Sequence, residues 1–217
     1  MTPALLFVHG WGFDAGFWQP LRQRLAGIPS VAWDLGFHGA PARPLPPGDA
    51  PLVAVGHSFG LLWLLKERPL PWRSLVSING FSRFTRADDF PQGVAPRLLD
   101  RMAARLDQAP AAVYQDFMAR CGMDVTATGG MESAATGGLD SARLAWGLSA
   151  LANWDCRAAP PVDLALCGRQ DPILPTAMSE ALFAPALAKW RDGGHLLPLT
   201  DPDWCARQLT AHLESLT

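Results

Sequence analysis

Gly56-His57-Ser58-Phe59-Gly60 is the segment most capable of chemistry. It follows the apolar run Pro51-Leu52-Val53-Ala54-Val55 and precedes the helix-like Leu61-Leu62-Trp63-Leu64-Leu65-Lys66. A strand, a tight G-x-S-x-G turn and a helix form a nucleophile elbow. The turn demands small neighbours, because the backbone is strained and closely packed there. It leaves the Ser58 hydroxyl at a helix N-terminus, where N–H groups and the helix dipole favour developing negative charge. The competing interpretation is an ordinary strand-to-helix turn capped by serine.

A working nucleophile needs three further parts. The chain opens with the strand-like Ala4-Leu5-Leu6-Phe7-Val8 and then His9-Gly10-Trp11-Gly12. The glycines let this loop bend so that the Trp11 N–H points at a reacting carbonyl, with the Phe59 N–H as second donor of an oxyanion hole. His9 reads as structural. The acid is sought after a late strand: Val162 to Gly168 is followed by Arg169-Gln170-Asp171-Pro172, so Asp171 falls just past the strand end, where an open α/β sheet presents its chemistry. Asp163 lies at the opposite strand end, and Asp155 and Asp192 are weaker rivals. The base follows the last strand-like run, Ala186 to Arg191, in Asp192-Gly193-Gly194-His195. The order Ser58, Asp171, His195 is that of one of the three known triad orders. His57 is expected to shape the pocket wall, His38 to sit in a turn, and His212 to be solvated on a terminal helix. No histidine has a partner at metal-ligand spacing, and the chemistry needs no metal or organic cofactor.

These residues must be positioned by a parallel sheet. Strand-like runs fall at 4–8, 30–34, 52–56, 74–79, 162–168 and 186–191. Helix-like runs fall at Phe17–Ala26, Phe59–Glu67, Thr176–Phe183 and Pro202–Leu213. Alternation of this kind predicts a mostly parallel sheet with helices on both faces. From 82 to 158 the alternation stops. Pro96–Leu106, Pro110–Cys121 and Leu139–Leu151 have helical spacing, and Asp124–Gly138 between them is Gly-, Thr- and Ala-rich and reads as mobile. The segment is expected to be a helical cap on one domain spanning 1–217. Phe81, Phe84, Phe117, Met118, Met123, Leu144 and Trp146 are candidates for its apolar wall. Trp11, Phe59 and Leu196 are expected nearest the serine. Phe81, Phe84, Phe117, Met118 and Leu196 are the expected substrate contacts, suited to an acyl group of some length.

Composition agrees with a globular protein: 217 residues, 49% apolar, net charge -2. That charge gives no reason to expect nucleic acid or an anionic membrane as partner. With no apolar run of membrane length and no basic leader, neither a span nor a signal peptide is expected. Cys121, Cys156, Cys167 and Cys205 lack C-x-x-C spacing and read as reduced, mostly buried thiols of a cytoplasmic protein.

On these motifs the chain resembles the α/β-hydrolase family. More narrowly it is similar to the carboxylesterases that demethylate pimeloyl-acyl-carrier-protein methyl ester in biotin synthesis. The narrower likeness rests on His9-Gly10-Trp11-Gly12, the serine elbow, Gly168-Arg169-Gln170-Asp171, the stretch from Phe81 to Pro91, and Phe117-Met118-Ala119. The resemblance implies a serine carboxylesterase and, as partner, acyl carrier protein. Two departures stand out. Residues 111–150 carry only Arg120 and Arg143 against Asp116, Asp124, Glu132 and Asp140, while Arg83, Arg86, Arg97, Arg101 and Arg105 gather earlier. Arg97, Arg101 and Arg105 share one helix face, which suits an acidic partner helix or plain solvent. The chain also starts at what is the third strand of the resembled sheet, so one edge is expected to be short. Alternatives at the level of function are a lyase of the menaquinone pathway using the same triad, and a non-catalytic binding protein of this fold.

Overall fold

The computed structural model describes residues 3–48, 50–123 and 138–216. Six strands form one sheet: β1 (Ala4–Val8), β2 (Ser30–Trp33), β3 (Leu52–His57), β4 (Ser74–Ile78), β5 (Leu164–Gly168) and β6 (Ala188–Arg191). Their order is β2-β1-β3-β4-β5-β6 and every neighbouring pair is parallel. The sheet is therefore parallel throughout, where sequence predicted mostly parallel. β1, β3, β4 and β5 are buried at every residue, the continuous apolar pattern of strands covered on both faces. Leu5 stands opposite Val53, and Val55 opposite Val76.

Eight helices accompany the strands among the described residues. They are α1 (Gln19–Arg24), α2 (Phe59–Glu67), α3 (Pro96–Leu106), α4 (Pro110–Arg120), α5 (Ser141–Asn153), α6 (Thr176–Leu182), α7 (Leu197–Thr200) and α8 (Pro202–Ser215). α1 is shorter than its apolar spacing suggests. A 3₁₀ turn at Ala15–Trp18, capped by the Asp14 carboxylate on the Gly16 N–H, occupies its first residues, and Pro20 then suits the opening turn. α5 begins two residues later than predicted, because Asp140 is its N-cap and accepts from the Arg143 N–H. The predicted mobile stretch 124–137 lies outside the described residues.

From β1 the chain passes to β2 on one side, then crosses back over β1 to β3 on the other and continues outward to β4. Right-handed crossovers in opposite directions put α1 and α2 on opposite faces. They also open a crevice at the carboxyl ends of β1 and β3, the place where open α/β sheets bind ligands. The loop after β1 and the turn after β3 border that crevice. α1 packs with α7 and α8, α2 lies on β1, β3 and β4, and α3 packs on α5 and α4. α2 is buried from Phe59 through Leu65, so it is a core helix rather than an amphipathic one.

Candidate active site

Ser58 sits between β3 and α2 with φ +52°, a left-handed conformation that is costly for any residue with a side chain. The two glycines of the turn are enforced by close approach. A Cβ on Gly56 would lie 2.5 Å from the Leu61 backbone, and one on Gly60 would overlap the Val8 carbonyl oxygen. Crossing the start of α2 this tightly over the end of β1 is what turns the serine outward at the helix N-terminus.

The three predicted side chains meet although 137 and 24 residues separate them along the chain. The Ser58 hydroxyl lies 3.1 Å from His195 Nε2, and His195 Nδ1–H donates to Asp171 Oδ2 at 2.7 Å. The other Asp171 oxygen accepts the Ile173 and Leu174 N–H groups at 2.8 and 2.9 Å. Both side chains of the His195–Asp171 pair are essentially inaccessible, at 0% and 2% exposure, which fixes the imidazole tautomer by geometry. The rivals of Asp171 are elsewhere. Asp155 is bound by Arg83 and Arg157, Asp192 is an exposed neighbour of Arg169, and Asp163 is at the far end of the sheet.

The loop after β1 approaches from the other side of Ser58. His9 accepts the Leu35 N–H at Nε2, and its Nδ1–H donates to the Gly10 carbonyl at 2.9 Å. That carbonyl and the Trp11 N–H belong to one planar peptide and point in opposite directions. Holding the carbonyl therefore turns the N–H away from His9. Among the described residues neither the Trp11 nor the Phe59 N–H meets a protein acceptor. His38, in its predicted turn, donates from Nε2 to the Gly12 carbonyl at 2.8 Å.

Two residues support His195 from behind. His57 is fully buried, stacks on Phe17 at 4.5 Å, and donates from Nε2 to the His195 carbonyl at 2.9 Å. Burial, and then the neighbouring His195 ring, push its pKa well below the usual histidine value, so it is a neutral donor. Asn79, at the end of β4, escaped the sequence reasoning. It adopts φ +44°, donates to the Gly194 and His195 carbonyls at 2.8 and 2.9 Å, and accepts the Gly168 N–H at 2.7 Å. One amide thus ties the loop carrying Asp171 to the loop carrying His195. The only local signal was Asn79-Gly80 directly after a strand, at the sheet end that also bears Ser58.

The apolar candidates divide. Phe84 and Phe117 line a small cavity of about 40 Å3 together with Trp11, Leu148 and Ile173. Phe81 packs on Phe84 at 4.8 Å. Met118 is fully buried on the inner side of α4 near Gly12, Leu196 is buried beside His195, and Trp146 stands edge-on to Phe59 at 5.5 Å. His212 corrects the expectation of a solvated side chain: it is half-buried and donates to Ser74 Oγ at 2.8 Å. All four cysteines are free and buried, and burial drives the thiols of Cys167 and Cys205 up to about 12. Among the described residues no three His, Cys, Asp or Glu side chains gather as a metal would require, and no helix is long and apolar enough to cross a membrane.

The sheet order, the serine elbow after β3 and the crevice beside it define the α/β-hydrolase fold. The esterase EaEST from Exiguobacterium antarcticum superposes with a TM-score of 0.79, covering 98% of this chain and 92% of that one at 17% identity. In sequence, the chain is 28% identical to the pimeloyl-[acyl-carrier protein] methyl ester esterase of Xylella fastidiosa (strain 9a5c), over 98% of this chain and 94% of that protein. It is 29% identical to the biotin biosynthesis bifunctional protein BioHC of Cellvibrio japonicus over 83% of its length, and spans 40% of that longer protein. No protein-family profile matches the chain.

Proposed function

We propose that the protein is a serine carboxylesterase and that Ser58, His195 and Asp171 are its catalytic triad. The observation that carries the proposal is the unbroken hydrogen-bonded series from the Ser58 hydroxyl through His195 to Asp171. His195 Nε2 takes the hydroxyl proton as Ser58 Oγ attacks the ester carbonyl. The Trp11 and Phe59 N–H groups, both free of protein acceptors among the described residues, receive the oxyanion. Asp171 holds the imidazole and stabilises its cation, and His195 returns the proton to the departing alcohol. Water then cleaves the acyl-enzyme by the same route in reverse.

The substrate proposed is the methyl ester of a medium-length acyl group carried on acyl carrier protein, the substrate class printed in the names of the Xylella and related esterases. Residues 82–158 act as the cap that selects it. The small cavity beside Trp11 shares Leu98, Met102, Phe117 and Arg120 with a second cavity of about 410 Å3, whose wall adds Arg101 and Arg105. An apolar approach ending among arginines suits an acyl chain delivered by an acidic carrier. Arg97, Arg101 and Arg105 are all exposed on α3, although Arg105 also pairs with Asp116.

The test has two levels. Wild-type protein should hydrolyse short acyl methyl and p-nitrophenyl esters and be labelled at Ser58 by a fluorophosphonate, and Ser58→Ala should do neither. Ester hydrolysis that survives in Ser58→Ala removes the triad. For the substrate, the gene should restore growth without biotin to a strain lacking its methyl esterase. An active general esterase that fails there loses the carrier-borne substrate while keeping the chemistry.

A further inference from the structure

The loop that carries Trp11 is gripped from above as well as from below, and the upper grip comes from the helices between β4 and β5. The indole Nε1–H of Trp11 donates to the Leu144 carbonyl of α5 at 2.9 Å, a buried bond between residues 133 apart in sequence. One turn further along α5 is Gly147, buried against the same ring. A Cβ there would overlap indole Cδ1 and lie 2.9 Å from Nε1. Phe117 of α4 meets the indole edge-on at 4.9 Å. Gly12, next in the chain, is covered by Met118 and Tyr114 of α4, and Tyr114 also packs on the His38 ring that holds the Gly12 carbonyl. Trp11 is only 2% exposed, so the ring has no room to move independently of α5.

We infer that α5 positions the oxyanion donor: by holding the Trp11 indole through the Leu144 carbonyl and the side-chain-free surface of Gly147, the cap sets the direction of the Trp11 N–H and so controls turnover rather than substrate affinity. The side chain and N–H of Trp11 share one Cα, and the loop on either side is pinned by His9 and His38. A shift of α5 therefore rotates the peptide rather than being absorbed by a flexible neighbour. Hydrogen-bond donors to an oxyanion act only when aimed at the position the oxygen takes up in the transition state, so such a shift weakens the transition state more than the ground state. Gly147 and Leu144 are positioning residues in this scheme and touch no substrate. α5 also packs on α3, the helix bearing the arginine stripe, so a partner held on α3 has a mechanical route to the oxyanion donor.

The inference rests on the esterase reading, and its test begins from the wild-type rate. Gly147→Ala should lower kcat for a short p-nitrophenyl ester about tenfold or more, leave KM nearly unchanged, and weaken inhibition by a trifluoromethyl ketone to the same degree. The pH profile of kcat should keep its wild-type midpoint, because His195 and Asp171 are undisturbed. Trp11→Phe, which keeps an aromatic ring but a smaller one and removes the Nε1 donor, should show the same pattern and serves if Gly147→Ala does not fold. Ala142→Gly, on the exposed side of α5, weakens the helix without touching the indole and should leave kcat and ketone affinity alone. If the folded variants keep wild-type kcat, lose affinity instead of turnover, or shift the pH midpoint, the inference is overturned while the esterase stands. An inactive wild-type protein removes the esterase reading, and the inference with it.

Discussion

The two ends of the sheet hold the same three residue types and wire them differently. At the carboxyl ends of the strands, Ser58 terminates the series: its hydroxyl faces His195, and His195 faces Asp171. At the amino ends, Ser74 stands in the middle. Its hydroxyl donates to Asp163 at 2.9 Å and receives a bond from His212 at 2.8 Å. The Ser74 proton is held by a carboxylate and one of its lone pairs by the imidazole, so its histidine is a donor to the hydroxyl and not the base that would take its proton. Ser74 also opens a regular strand, whereas Ser58 is held at positive φ at a helix N-terminus. The same Asp163 oxygen also accepts the Leu75 N–H and so fastens the start of β5 to β4, while His212 fastens α8 to the same point. Residue types alone do not make a nucleophile. Hydrogen-bond order, backbone strain and the sheet end are what set Ser58 apart from Ser74.

The sharpest way to break the comparison is to delete each serine hydroxyl. Ser58→Ala should reduce kcat for a short ester on the order of 10^5-fold or more with the melting temperature little changed. Ser74→Ala should leave kcat alone and lower unfolding free energy by about 1–2 kcal/mol in a urea titration, since it strips partners from Asp163 and His212. A large kcat loss in Ser74→Ala would mean that the amino-terminal cluster also acts in the chemistry. The carboxylates form the next pair. Asp171→Asn should cost about 10^4-fold in kcat by favouring the wrong tautomer of His195, and Asp163→Asn should register only in stability.

Asn79 sharpens the contrast further, because it has no counterpart in the Ser74 cluster. Asn79→Ala should cost up to about 100-fold in kcat by loosening the spacing of the Asp171 and His195 loops. Relative to wild type at the same pH, Asn79→Asp should recover part of its activity on acidification, as a protonated carboxyl supplies one O–H donor for one of the two carbonyls. An activity loss in Asn79→Asp that is flat with pH would argue against the donor role.

The smallest effect concerns one histidine from each end. Burial lowers the pKa of His57, with His195 adding to the shift, and burial lowers that of His212 against the opposing pull of Asp163. Unfolded, both titrate near 6.5. Below that pH the unfolded chain binds protons that the folded protein refuses. The stabilisation is thus complete above about pH 6.5 and is lost as pH falls toward the depressed folded values. The urea midpoint should drop between pH 7 and pH 5, with a slope of up to about 1.4 kcal/mol per pH unit from His57. His57→Gln should flatten that slope more than His212→Gln. Equal slopes in all three proteins would remove the histidines as its source.

The elbow was readable because everything that makes it is local. Apolar residues before Ser58 make a strand, apolar residues after it make a helix, and glycines at 56 and 60 answer contacts within a few residues and with β1. Asp171 and His195 were readable as loops after strands, in a chain order that only one triad architecture uses. α3 over Pro96–Leu106 and α2 over Phe59–Glu67 were bounded correctly by proline and by the change of periodicity. Asn79 was not readable, since its partners are 89 to 116 residues away and a strand-ending Asn-Gly has many uses. His212 was assigned to solvent for the same reason: nothing near it in the chain announces Ser74, 138 residues distant.

By itself the chain determined its periodic elements, the strained serine turn and the order of Ser58, Asp171 and His195, because backbone preference and short-range packing are written into neighbouring side chains. Only the tertiary structure decided which serine faces His195, which amide joins the loops of Asp171 and His195, and which helix holds Trp11. Those outcomes depend on hydrogen bonds between segments brought together by the crossovers of the sheet, and no spacing along the chain encodes the direction of a hydrogen bond across it.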